Sequence, residues 1–292
     1  MKISGRAIAP WSLVLVAVLW GSTFFSTKRL VTHLAVPDFL AVRFLISTVV
    51  LVAALVIRGG KLTRTTMKRG AVLGTLWAVA QLTQTIGLEH TSASISGFVT
   101  GLYVVLTPVF GLLIFKIRVH QRVWIAVGLA TAGLGVLTLR PETGGLGLGE
   151  GLTIISAALF AIHIIILGRW STPSQALPLT VAQSIVMTVI LFIIAAPDGI
   201  QLPDTGEAWI WVVYLAVFCG ALTLLLQTWA QSHLEASKAA VIMCSEPLWA
   251  TFFAIGFGGE RPTWLFAIGA ASILAAMYLV VRSPAATPAP GD

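Results

Sequence analysis

Ten runs of predominantly apolar residues follow one another along this chain with only short polar breaks between them. A helix needs about 20 such residues to cross a hydrocarbon core of roughly 30 Å, and a lipid-facing backbone has few other ways to satisfy its N–H and C=O groups. The spacing predicts helices over 11–31, 39–57, 70–88, 94–115, 123–139, 150–168, 179–197, 209–228, 239–257 and 263–281. Soluble domains are roughly 45–50% apolar and about 25% charged; this chain is 57% hydrophobic and 10% charged over 292 residues. The expectation is an all-α integral membrane protein of ten transmembrane helices, with nowhere to put a separate soluble domain. Lys2 and Arg6 before the first apolar run resemble a signal peptide, but the run continues past the length of one and lacks a small-residue cleavage site, so it reads as the first span.

The net charge of +7 does not imply a nucleic-acid partner, because Lys and Arg sit in short loops and form no continuous face. Orientation explains them. With the amino terminus in the cytoplasm, thirteen of the eighteen basic residues fall inside, leaving Lys28, Arg29, Arg43, Arg140 and Arg261 outside or near the outer ends. Cationic loops resist translocation, so both termini are expected to be cytoplasmic. Cys219 and Cys244 lie inside apolar runs, which suits neither a disulfide framework nor a metal cluster.

The chain also repeats itself. Gln84, Thr85, His90, Ala93 and Ser94 return as Gln227, Thr228, His233, Ala236 and Ser237, all at an offset of 143. Leu19, Trp20, Arg29 and Val49 return as Leu159, Phe160, Arg169 and Val189 at 140, and Pro108 returns as Pro247 at 139. The expected organisation is a five-helix repeat over 1–140, a Gly-rich linker over 141–149, a second five-helix repeat over 150–282 and a disordered cytoplasmic tail over 283–292. Five is odd, so the second repeat enters the membrane from the opposite side. Inverted repeats of this kind place a substrate site near the midplane and give alternating access as one half rocks against the other. The change of offset from 143 to 139 falls within the fourth and ninth helices and predicts an insertion of about one turn in the fourth.

Several polar residues stand at membrane depth. Glu246 is the one carboxylate well inside a predicted helix, where a bare charge costs from ~3 to more than 10 kcal/mol. It must be neutral, paired or wet, and it is a candidate proton carrier. Pro108 and Pro247 remove the amides that would bond the carbonyls of Val104 and Met243, and matched breaks in two halves point to a binding site. Gln81, Gln84, Thr85 and Gln227 put polar groups where hydrocarbon offers no partner, so they face inward. His163 aligns with Thr23 at offset 140 and is a possible proton relay or a satisfied core residue. Trp20, Trp77 and Trp249 fall in helix interiors, unlike the seven tryptophans near helix ends. Arg43, which aligns with Gln183, lies near the outer end of the second helix, where it could snorkel toward an outer mouth with Asp38 as partner.

Leu19-Trp-Gly-Ser22, Arg43-Phe44, Thr91-Ser-Ala-Ser94, Pro108 and Glu246-Pro247, in this order and spacing, resemble the EamA type of the drug/metabolite transporter superfamily over nearly the whole chain. The resemblance implies a permease of the bacterial inner (plasma) membrane, often an exporter of amino acids or other small metabolites. It also implies a cavity lined mainly by the first, third, fourth, sixth, eighth and ninth helices. One departure is that Lys116-Ile117-Arg118 stands where the family often has an acidic residue after the fourth helix. The candidate substrate-binding set is Trp20, Thr23, Trp77, Gln81, Gln84, Tyr103, Pro108, His163, Gln227, Glu246, Pro247 and Trp249.

The expected function is secondary active transport of a small metabolite by alternating access, most simply export of amino acids or related compounds. A multidrug exporter of lipophilic cations is the rival within transport, and a polytopic membrane enzyme is the rival from another class. The enzyme lacks its motifs: there is no clustered Asp pair, no His-Glu-x-x-His and no Ser-His dyad. No Walker pattern occurs either, so energy would come from an ion or substrate gradient, with protons as a candidate. Expected partners are a small-molecule substrate and the lipid bilayer, no nucleic acid and no cofactor, in a monomer or homodimer.

Overall fold

The structure, a computed structural model, describes residues 5–118, 120–138, 147–234, 236–243, 245–281 and 287–288. Seven spans are long and apolar enough to cross a membrane, and three shorter or broken ones complete the ten. The first repeat comprises α1 (Gly5–Leu30), α2 (Val36–Ile57), α3 (Arg64–Glu89), a fourth span broken into α4 (Ala93–Thr100) and α5 (Tyr103–Phe115), and α6 (Gln121–Thr138). The second comprises α7 (Leu148–Trp170), α8 (Ala176–Ala195), an eighth span of α9 (Gly206–Ala216) and α10 (Thr223–Gln231) joined by a π-helical stretch, Val217–Leu222, a ninth broken into α11 (Ala236–Met243) and α12 (Glu246–Gly256), and α13 (Trp264–Val281). Helix starts follow local chemistry: Pro37 opens α2, and the hydroxyls of Thr63, Ser92 and Thr205 accept from Thr66, Ile95 and Ala208 N–H at 3.1–3.2 Å. Ile117–Arg118 pairs antiparallel with Thr287–Pro288; most of the predicted linker and tail lies outside the described residues.

The packing obeys a pseudo-twofold. Most contacts between the halves have a mate: α1 on α10 matches α7 on α3, α1 on α11 and α12 matches α7 on α4 and α5, and α2 on α9 matches α8 on α3. Equivalent helices also meet each other, α2 on α8 and α6 on α13. At the first crossing Thr48 and Thr188, equivalents at offset 140, are hydroxyl to hydroxyl at 2.8 Å. Around them Thr48 meets Ser184 Oγ at 2.5 Å, and Thr188 donates to the carbonyl of Phe44, the equivalent of Ser184, at 3.0 Å. The two five-helix repeats are therefore interleaved rather than set side by side. Rocking one half against the other as rigid blocks, the motion expected above, would act on the contacts of α1 with α10 and α12 and of α3 with α7 and α8.

The broken spans correct the reading of the prolines. α4 and α11 are each eight residues, and both breaks start second pieces at residues 143 apart, Tyr103 and Glu246. There is no inserted turn before the break; the prolines themselves lie at different depths. Pro247 sits in the first turn of α12, whereas Pro108 is inside α5, which continues through it.

At the ends of the spans, charged groups serve backbone. Lys28 Nζ donates to the carbonyls of Leu88, Glu89 and Thr91 at 2.6–3.0 Å, neutralising the negative end of α3. Glu260 accepts from Ala93 and Ser94 N–H at 2.6 and 3.2 Å, holding the loop after α12 to the start of α4. Arg29 pairs with Glu207 at 3.0 Å on the surface.

Close approach depends on glycine. A Cβ on Gly70 would lie 2.4 Å from Ala182 Cβ and 2.7 Å from its carbonyl carbon, and one on Gly21 would lie 2.4 Å from Trp249 Cβ. Gly128 on α6 has open space. Overpacking typically costs about 1–3 kcal/mol, so Gly70→Ala should lower the thermal unfolding temperature in detergent, and Gly128→Ala should not.

Candidate functional site

A partly open cavity of about 40 Å³ lies where the halves interleave. Trp20 and Thr23 of α1, Trp77, Gln81 and Gln84 of α3, Thr100 and Tyr103 at the fourth-span break, and Phe160 and Ile164 of α7 line it. Cys219 and Gly220 of the π stretch, Leu224 and Gln227 of α10 and Glu246 of α12 complete the far side, and Arg43 and Phe44 of α2 reach it as well. The second span is thus a wall that the sequence did not suggest.

Arg43 is the main surprise. It is 4% exposed, deep rather than at an outer mouth, and its guanidinium lies 5.0 Å from the Phe44 ring centre and 5.9 Å from that of Phe39. Its Nε donates to Leu215 O at 3.4 Å. The expected partner, Asp38, is engaged elsewhere, accepting from Gln201 N–H at 3.2 Å, and among the described residues no carboxylate pairs with Arg43. α2 comes this close because Gly220 faces Ser47, whose hydroxyl donates to Ala216 O at 2.6 Å. The π stretch offers its carbonyls sideways: Trp20 Nε1 reaches Cys219 O at 3.3 Å and Thr223 Oγ1 at 3.0 Å.

Opposite stands Glu246, 4% exposed, with the Tyr103 hydroxyl 3.1 Å from its Oε2 and 3.1 Å from Met243 O. Met243 O is the carbonyl that Pro247 leaves without its helical donor, so the tyrosine repairs the break. One hydroxyl proton cannot serve both acceptors. With Glu246 protonated, the carboxyl can donate to Tyr103 and the hydroxyl to Met243 O; with Glu246 ionised, the hydroxyl turns to the carboxylate and Met243 O is left bare.

The amides differ between the repeats. Gln81 Nε2 donates to Gln84 Oε1 at 2.9 Å, and Gln84 Nε2 donates to Thr100 at 3.0 Å. Gln227, 1% exposed, has a carbonyl oxygen without a partner among the described residues, as does the indole N–H of Trp77. Trp20, Trp77 and Phe160 pack ring to ring at 5.1–5.5 Å and form the apolar side.

Eight of the sequence candidates meet here: Trp20, Thr23, Trp77, Gln81, Gln84, Tyr103, Gln227 and Glu246. Four do not line the cavity. His163 is fully buried, bonded to Gln183 at 3.0 Å with the Trp77 ring 4.7 Å away, so it shares no exposed depth with Thr23. Trp249 packs its backbone on Gly21 and its ring on Phe252. Pro247 acts through Met243 O, and Pro108 lies beyond the break. Besides Arg43, sequence reasoning missed Phe44, Thr100, Phe160, Ile164, Cys219, Gly220 and Leu224, all but Arg43 and Thr100 apolar or sulfur-bearing residues of ordinary core type.

The EamA-like transporter family matches the chain twice, over residues 8–139 and 147–282. The chain belongs to this family. An uncharacterized transporter of Archaeoglobus fulgidus is 30% identical over 279 residues, covering 94% of this chain and 86% of that protein. The uncharacterized inner membrane transporter YedA of Escherichia coli is 24% identical over 269 residues, covering 90% and 87%. A crystal structure shares the fold at a TM-score of 0.70 and 17% identity, covering 94% of this chain and 96% of that one. This EamA-family protein is therefore a multi-pass membrane transporter for a small molecule.

Removing a buried donor strands its acceptors at about 1–3 kcal/mol. Tyr103→Phe should accordingly lower thermal stability in detergent, while Thr131→Val, on the exposed face of α6, should leave it unchanged.

Proposed function

We propose that this transporter carries small zwitterions, amino acids or close relatives, outward across the bacterial inner membrane by alternating access, with both its termini in the cytoplasm. The observation that supports this reading is that an arginine and a carboxylic acid, Arg43 and Glu246, with no salt bridge between them, open on the same cavity. A substrate bearing a carboxylate and an ammonium matches both, and desolvated charge-assisted bonds of this type are strong enough to select it. The Trp77 N–H adds a donor for the carboxylate, and Trp20, Trp77 and Phe160 offer apolar surface to a side chain. A lipophilic cation is less well served: Phe252 and Phe253, the aromatic rings that follow Glu246 on α12, do not line the cavity, and Phe252 is 57% exposed.

Glu246 is the proposed proton carrier, with Arg43, Tyr103 and Cys219 the other ionisable groups lining its cavity. Because the repeats interleave, the moving parts are the pieces of the fourth and ninth spans about their breaks, not the halves.

Counterflow in proteoliposomes with labelled amino acids, sugars and cationic drugs tests the class. Neutral amino acids should exchange, and exchange confined to cationic drugs would overturn the reading. Arg43→Gln and Glu246→Gln should each weaken amino-acid competition by about ten- to hundredfold, the ~1.5–3 kcal/mol of a hydrogen bond to a charged group. An imposed proton gradient, acidic on the receiving side, should accelerate wild-type efflux and leave Glu246→Gln efflux unchanged.

A further inference from the structure

The repeat supplies an internal control for Gln227. Its equivalent, Gln84, sits at offset 143 and is paired at both ends of its amide within the protein, its carbonyl by Gln81 and an amide N–H by Thr100. At the same offset the positions of Gln81 and Thr100 are occupied by Leu224 and Met243. Leu224 can neither donate nor accept a hydrogen bond, and the Met243 thioether has no donor to offer and is only a weak acceptor. The second-half amide thus occupies the same place in its helix with those partners replaced: Gln227 is 1% exposed, lines the cavity, and its carbonyl oxygen has no partner among the described residues. A buried carbonyl left so costs about 1–3 kcal/mol.

We propose that Gln227 is the specificity determinant for the substrate's nitrogen: its carbonyl accepts an N–H of a primary ammonium, whose charge is balanced by Glu246 across the cavity. This rests on the zwitterion reading and deepens it. A carboxylate alone would accept any cation of suitable size, methylated or not, because it needs only charge. A neutral buried carbonyl needs a proton donor. Substrates whose nitrogen carries three methyl groups keep the charge for Glu246 but offer nothing to Gln227, and they leave the carbonyl stranded in the bound state as well. A site built to bond an N–H rejects analogues lacking it far more strongly than a missing methylene would allow.

The test uses the amino acid that gives the largest counterflow and its N,N,N-trimethyl derivative as competitors, with the full-length protein in proteoliposomes. In the wild type the trimethyl derivative should compete at least about tenfold less well. Two variants approach the carbonyl from opposite sides. Gln227→Met removes it, and Leu224→Gln supplies the internal donor that Gln81 gives Gln84. Both should weaken competition by the primary amine about tenfold or more, leave that of the trimethyl derivative nearly unchanged and so collapse the discrimination. Equal competition by the two compounds in the wild type, or discrimination preserved in whichever variant inserts and folds, would overturn the assignment while leaving the zwitterion reading in place. Failure of every amino acid to exchange would remove that reading, and this one with it.

Discussion

Residues related by a twofold can touch each other only beside the axis, and Thr48 and Thr188 touch. That contact fixes much of what surrounds it. Five spans per repeat require the second copy to run the opposite way through the bilayer, so the axis lies in the membrane plane, and the self-contacts of α2 with α8 and of α6 with α13 show where it passes. With equivalent helices crossing on the axis, the remaining helices of each repeat must find their packing partners in the other. α3 lies on α7 and α8, and α1 on α10 and α12. In lipid, where apolar surface gains little from burial against apolar surface, such crossings are held by small residues and by hydroxyl-to-carbonyl bonds. Gly21, Gly70, Ser47 and Thr48 are examples.

Symmetry builds the cavity, and departures from symmetry equip it. Gln183, the equivalent of Arg43, is closed off by bonds to His163 at 3.0 Å and Thr228 at 3.2 Å, and that locus is solid. Arg43 instead has only a long bond to Leu215 O and a place on the cavity wall. Tyr103 and Glu246, which begin the two second pieces, face each other at 3.1 Å as a phenol and a carboxyl. Gln84 is paired and Gln227 is not. At the Gln84/Gln227 pair one copy is bonded within its own half and the other carries a buried carbonyl with unused capacity. Buried unused capacity is destabilising in a resting protein, which is the physical reason to connect it with a ligand.

Much of this was legible in the sequence, and the exceptions share a cause. The apolar runs gave the ten spans, and the register of Gln84 with Gln227 gave the inverted repeat, because hydropathy and internal homology are local properties of the chain. Glu246 and the glutamines stood out because they are costly at their depth wherever they point. Arg43 was misplaced because a position five residues into a helix suggests snorkelling; only the approach of Ser47 to Gly220 across the π stretch carries it inward. His163 could not be told from a cavity residue, since burial behind Trp77 is a tertiary fact. The prolines misled about the insertion because a proline marks a missing donor, which need not coincide with the break. Pro108 lies within α5, where Thr107 donates to Tyr103 O at 2.7 Å.

The helix breaks and the proposed binding groups share side chains. At the ninth-span break Met243 O is held by Tyr103, whose hydroxyl is shared with Glu246. Along the π stretch Leu215 O is held by Arg43, Ala216 O by Ser47, and Cys219 O by Trp20 and Thr223. A regular helix holds its carbonyls through its own backbone, so a ligand cannot loosen it without unwinding it. Here the irregular backbone is held from the cavity side, and a ligand that draws Arg43 or Glu246 into its own hydrogen bonds takes them from Leu215 O or Tyr103. Differential interaction with two states is what any ligand needs in order to shift a conformational equilibrium. Placing the proposed ligating groups at the helix breaks would supply that difference at the shortest possible range, with no relay through the packed helices between them.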